Sequence, residues 1–96
     1  MQKLLGKTVL VTTPIFYINS KPHLGHAYTL IYAEFLKRWA KDQGATALLA
    51  TGVDEHGKKV FMAAQNEGME IQKYCDKYAD IFEGAIKSLD IDYDIF

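Results

Sequence analysis

Along the 96 residues, apolar and polar positions alternate between two regimes: short continuous apolar runs and longer stretches with helical spacing. Thr8-Val9-Leu10-Val11-Thr12-Thr13 is β-branched and ends at Pro14, which predicts a buried strand closed by proline. From Pro14 to Pro22 the two prolines and the polar group Asn19-Ser20-Lys21 predict a loop. Beyond it Tyr28, Ile31, Tyr32, Phe35, Leu36 and Trp39 recur at helical intervals, predicting an amphipathic helix from about Leu24 to Gln43 with this stripe as its core face. Lys37, Arg38 and Lys41 fall in its final turns, where cations complement the dipole, and Gly44 takes the left-handed position that ends helices. Ala45 to Thr51, closed by Gly52, reads as a second buried strand. A shorter helix over about Lys58 to Glu67 carries Val60, Phe61 and Ala64 on one side, and a longer one aligns Ile71, Tyr74, Cys75, Tyr78, Phe82, Ala85 and Leu89. Ile91, Tyr93 and Ile95, alternating with Asp92 and Asp94, have the period of a strand that begins here and is cut off at Phe96.

Strand, helix and strand within about 45 residues define a parallel βαβ unit, because parallel strands need a crossover of this length. In such sheets ligands bind beyond the carboxyl ends of the strands. The segment ending in Pro22-His23-Leu24-Gly25-His26 follows the first strand, and Gly52-Val53-Asp54-Glu55-His56-Gly57 follows the second, so both fall on one edge.

The start of the Leu24 helix offers main-chain N–H groups and the positive end of a dipole, a setting that suits phosphate. His23 and His26 add side-chain donors, and Gly25 lets a flat ring approach the backbone. A helix start with no special role for its histidines is the plainer alternative. A zinc site would need further ligands from His56, Asp54 or Cys75, and no metal site is expected. Asp54, just past a strand end, suits an ammonium group, or else Asp54 or Glu55 caps the next helix. His56 and Gly57 are expected to support that loop. The aromatic stripe of the first long helix reads as core, Met62 and Met69 as packing or surface residues, and Cys75 as a buried thiol.

Composition adds bounds rather than chemistry. Eleven basic against twelve acidic residues leave a charge of −1, so tRNA or other nucleic-acid binding by this segment is not expected from charge. Residues 1–6 have no signal-like apolar stretch and no window is long enough to span a bilayer, which with the single Cys75 predicts a soluble, cytoplasmic protein with no membrane partner.

Thr13-Pro14-Ile15-Phe16-Tyr17-Ile18-Asn19, Pro22-His23-Leu24-Gly25-His26 and Thr51-Gly52-Val53-Asp54-Glu55-His56-Gly57, in this order and spacing, resemble the methionyl-tRNA synthetases of class I. The resemblance implies an α/β fold, an incomplete Rossmann-like parallel sheet with flanking helices, in which residues 1–96 form the first half of the nucleotide-binding catalytic domain. It implies activation of methionine with ATP and Mg²⁺ and transfer to tRNA(Met). It also implies that His23 and His26 contact the ATP phosphates and act as the catalytic pair, with Leu24 and Gly25 completing the ATP site. Asp54, helped by the backbone of Ile15, would hold the methionine ammonium, and Tyr17 would enclose the thioether. The Lys-Met-Ser-Lys-Ser loop, the connective domain with its zinc, and the anticodon-binding domain of the family are not in these residues, so the isolated chain is expected to lack methionine-dependent ATP–pyrophosphate exchange. Other class I synthetases share the His-Leu-Gly-His element but differ in both flanking segments. Small nucleotidyltransferases carry a different lead-in to their first turn, and a synthetase-derived interaction module is the non-enzymatic alternative.

Overall fold

The computed structural model describes residues 2–96. Its elements are β1 (Thr8–Thr12), β2 (Phe16–Tyr17), α1 (Leu24–Asp42), β3 (Thr46–Ala50), β4 (Val53–Asp54), α2 (Lys58–Asn66) and α3 (Ile71–Ser88). β1 and β3 pair in parallel with Thr8 opposite Thr46 and Thr12 opposite Ala50, and α1 provides the crossover between them. The parallel βαβ unit stands as the hydrophobic runs predicted it.

The loop reading of Pro14 to Pro22 needs correction. β2 lies inside it and pairs in parallel with β4, Phe16 facing Val53 and Tyr17 facing Asp54. Between the two ladders three residues of the first segment, Thr13 to Ile15, stand opposite Thr51 and Gly52 of the second. This is a bulge, and Pro14 suits it because proline has no N–H to give to a ladder. Thr13 N–H donates to Ala50 C=O at 3.1 Å, Phe16 N–H donates to Gly52 C=O at 3.1 Å, and the Thr13 and Thr51 hydroxyls lie 2.6 Å apart. Two-residue strands have too few positions to show a period, so neither was visible in the pattern.

β1 and β3 are half-buried rather than buried. Val9, Val11, Ala47 and Leu49 turn inward, whereas Leu10 and Leu48 face outward. The last residues add the start of a third strand beside β3: Ala50 bridges Ile95 in parallel, Ile95 N–H donates to Leu49 C=O, and Thr51 N–H donates to Ile95 C=O.

The face of α1 that meets the sheet is the opposite of the expected one. Leu30, Ala33, Glu34, Lys37 and Ala40 are buried, while Tyr28, Ile31, Tyr32, Phe35 and Trp39 stand between 47% and 71% exposed. Small Ala33 and Ala40 let the helix sit close to the sheet, which the bulky stripe would prevent. Lys37 is consequently no partner of the helix dipole. Its ammonium is buried and donates to Asp94 Oδ2 at 2.8 Å and Asp92 C=O at 2.6 Å. Asp94 Oδ2 also accepts from Leu49 N–H at 2.7 Å, and Glu34 Oε2 accepts from Asp92 N–H at 2.6 Å. The third-strand segment is thus fastened to α1 and β3 by polar groups, in addition to the burial of Ile91. Gly44 ends α1 at φ 92°, as its position predicted.

The main core joins Phe16, Ile18, Leu30, Ala33 and Leu49 to Val60, Ala64, Tyr74, Cys75, Tyr78, Phe82, Ile86 and Ile91. α3 presents its predicted stripe, except that Leu89 is 38% exposed, and Phe61 of α2 turns outward. Tyr74 Oη donates to Ile18 C=O, which fixes the segment after β2.

Candidate functional site

The site begins at the first turn of α1, where His23 is the N-cap. His23 Nδ1 accepts from Gly25 N–H at 3.1 Å, and His26 Nδ1 accepts from His23 N–H at 3.0 Å. Together they form a reciprocal capping box built from two imidazoles. Main-chain N–H groups of His26 and Ala27 donate to His23 C=O. The main-chain donors expected to await an anion are therefore partly engaged: the cap takes up those of Gly25, His26 and Ala27. Further donors lie on the side chains. An imidazole that accepts at Nδ1 carries its proton at Nε2 when neutral, so each ring presents an Nε2–H donor away from the helix.

The rings are held. His23 and His26 stack with centroids 3.8 Å apart, and His26 meets Phe16 edge-on at 4.9 Å and Phe82 at 5.1 Å. Burial, with a smaller contribution from the charge of His23, pulls the His26 pKa below its ordinary value, which favours the neutral donor. Gly25 is explained by the same cap. A β-carbon there would stand 2.9 Å from His23 Cε1 and 3.1 Å from Nδ1, too close for the ring to stay in place.

A surface cleft of about 430 Å³ opens beside the pair, lined by His23, Gly25 and His26 on one side and by Ile15, Phe16 and Tyr17 on the other. Leu24 lies outside it, 85% exposed. A second cleft of about 300 Å³ is lined by Tyr17, Asp54, His56, Gly57, Lys58 and Lys59. Tyr17 belongs to both. Since Tyr17 and Asp54 face each other across the β2–β4 pair, the histidine turn and the Asp54 loop meet at one wall.

Asp54 does not cap α2, and neither does Glu55: the N-cap is Gly57, at φ 109°, with no side-chain bond. Instead Asp54 Oδ1 accepts from His56 N–H at 2.9 Å, so His56 steadies the carboxylate through its main chain. Cys75 Sγ–H donates to Glu55 C=O at 3.5 Å from below the loop, and burial pushes this thiol's pKa up. Phe82 and Cys75 were legible only as core positions of α3, because nothing in their local sequence connects them to His26 or Glu55. Among the described residues no three His, Cys, Asp or Glu converge to hold a metal ion, and no helix is long and apolar enough to cross a membrane.

This edge of a parallel sheet, with an imidazole-capped helix and a carboxylate loop, belongs to a fold of the class I synthetase type, as comparison with known proteins shows. Residues 9–96 match the family model described as tRNA synthetases class I (M), and the chain belongs to that family. It is 46% identical over 90 residues to a probable mitochondrial methionine–tRNA ligase of Dictyostelium discoideum, a match covering 94% of this chain and 16% of that protein. It is 45% identical over 86 residues to the methionine–tRNA ligase of Thermotoga maritima, covering 90% of this chain and 14% of the relative. The structure of Mycobacterium tuberculosis methionyl-tRNA synthetase in complex with methionyl-adenylate superposes with a TM-score of 0.91 at 36% identity, covering 94% of this chain and 18% of that one. A leucyl-tRNA synthetase of Agrobacterium radiobacter, at TM-score 0.86 and 24% identity, shares the fold. The chain spans about a sixth of the length of the relatives it matches.

Proposed function

We propose that this segment supplies part of the ATP and methionine sites of a methionine–tRNA ligase, residues 1–96 forming the first half of its nucleotide-binding catalytic domain. The observation that carries this reading is the Tyr17–Asp54 register, which sets the cleft of the histidine pair against the cleft of the carboxylate. In the proposed reaction a carboxylate oxygen of methionine attacks the α-phosphorus of ATP. The bond from that phosphorus to the bridging oxygen breaks, and pyrophosphate leaves. Catalysis then rests on positioning and charge stabilisation, with no nucleophile required from the protein.

His23 and His26 direct their Nε2–H donors at the phosphate oxygens, and burial of His26 favours its neutral form, which gives a hydrogen bond without surrendering a proton. Gly25 keeps that pair in place and leaves the backbone open to the adenine. Asp54, through the carboxylate oxygen not engaged by His56, takes the methionine ammonium. Ile15 and Tyr17 border the thioether. Mg²⁺ enters as the companion of the ATP phosphates, since these residues bring no carboxylate cluster to hold it. Transfer to tRNA(Met) and a cytoplasmic location complete the proposal, and the mitochondrial name of one relative makes the organelle the alternative compartment.

Calorimetric titration of the chain with a non-hydrolysable methionyl-adenylate analogue tests this reading. Binding should weaken about tenfold or more in Asp54→Ala, the effect of losing one charge-assisted hydrogen bond. Affinity unchanged from that of the parent chain in both Asp54→Ala and His26→Ala would refute it.

A further inference from the structure

Tyr17 is 57% exposed on the outward face of β2, with buried Phe16 before it and buried Ile18 after it. Packing does not fix its ring. Besides its cross-strand partner Asp54, the ring has a cation over its face: Lys59, in the first turn of α2, whose Nζ lies 5.6 Å from the ring centroid. Lys59 and Tyr17 line the Asp54 cleft together, and Tyr17 alone of this group also lines the cleft of the histidines. Lys59 also sits where a helix gains least from a cation, next to the positive end of the dipole and with no capping side chain at Gly57. Its position is therefore not explained by helix stability.

We infer that Lys59 is a positioning residue: its ammonium, lying over the face of Tyr17, holds the ring as the wall between the two clefts and so sets how closely the site encloses the amino-acid side chain. The inference rests on the proposed assignment of the Asp54 cleft to the amino acid. A cation over an aromatic face is attracted by the ring quadrupole, and on an exposed side chain with few other contacts that attraction decides the rotamer. With Lys59 in place the wall is fixed and a longer side chain is penalised. Without it the ring yields.

The measurement is the ratio of dissociation constants for L-ethionine and L-methionine, followed by NMR titration of the chain. Both ligands carry the same ammonium and carboxylate, so the effect of the Lys59 charge on those groups cancels in the ratio and side-chain enclosure remains. Lys59→Met should lower the ratio about two- to fivefold, the weight of one exposed cation–π contact, and Lys59→Arg should restore it. A nuclear Overhauser contact between the Lys59 ε-methylene and the Tyr17 ring should be present in the parent chain. An unchanged ratio in Lys59→Met, or failure of Lys59→Arg to restore it, overturns the inference and leaves the site assignment intact. Absence of methionine binding by the parent chain overturns the site assignment, and the inference falls with it.

Discussion

His23 and His26 cap each other: the Nδ1 of each accepts a main-chain N–H of the same turn, and the rings stack with both Nε2 atoms outside the cap. Structure and chemistry thus occupy opposite edges of the same two rings. His23→Ala should cost about 1 kcal/mol of stability, the usual worth of an N-cap, in urea denaturation. His23→Asn should recover most of that loss, because asparagine caps well, yet should not recover binding of a methionyl-adenylate analogue, since no Nε2–H reaches the phosphate. Equal recovery of both would show that the ring has no role beyond the cap.

Gly25→Ala separates the same two properties from the other side. Alanine favours a helix by about 0.5–1 kcal/mol over glycine, but its β-carbon meets the His23 ring and opens a cap worth about as much. Thermal unfolding should therefore shift little while analogue binding falls. A clear gain in stability with binding retained would mean that the ring moves aside freely.

The lowered pKa of His26 gives a pH dependence of definite sign. A histidine whose folded pKa lies below its unfolded value contributes stability that is complete above the unfolded value and is lost as pH falls through the folded one. Protonation at Nδ1 also ends its acceptance from His23 N–H. Urea midpoints should thus decline from about pH 7.5 to 5.5, with the unfolded histidine titrating near 6.5. The decline should be shallower in His26→Ala, and parallel profiles would exclude His26 as its source.

Lys37 carries the opposite sign. Burial draws its pKa down, but hydrogen bonds and charges from Asp94 and Asp92 outweigh this and raise it. Asp94 is held low by the hydrogen bonds from Lys37 and from Leu49 N–H. The contribution of Lys37 is complete below its unfolded pKa and fades as pH rises through the folded one. That of Asp94 is complete above its unfolded pKa and fades as pH falls through the folded one, so the fastening is intact across the neutral range. Lys37→Met should destabilise by about 1–3 kcal/mol, the cost of unmade hydrogen bonds to a charged group whose partners are partly exposed. Hydrogen exchange should then accelerate at Leu49 and Asp92, and unchanged exchange there would show the fastening to be idle.

Phe35 distinguishes the two faces of α1. As a core residue its truncation to alanine would cost about 3–5 kcal/mol, but at 63% exposure Phe35→Ala should change stability by about 0.5 kcal/mol or less. Trp39, 47% exposed, should be quenched readily by acrylamide. A loss of several kcal/mol in Phe35→Ala would return the aromatic stripe to the core.

What the sequence disclosed follows from how each feature is encoded. β1, β3 and the helices are written as runs and periods of several residues, and Gly44 as a residue type tied to a backbone conformation, so all could be read. β2 and β4 are two residues each and exist because the bulge at Pro14 lets the segments pair again. α1 was given the wrong inner face because large apolar residues weigh most in a periodicity, while packing against a sheet here selects Ala33 and Ala40. The histidine cap was hidden because imidazole is not a usual capping group, and its phenylalanine walls come from elements far apart in the chain. The histidine turn and the Asp54 loop were legible as candidates; the residues that support them were not.

The bulge at Pro14 has one further effect. Because the same two segments pair on both sides of it, sliding β3 past β1 by one residue would carry β4 along and present Val53 where Asp54 now meets Tyr17. An error in strand alignment would put a methyl-bearing side chain in the place of the carboxylate while leaving the helices intact.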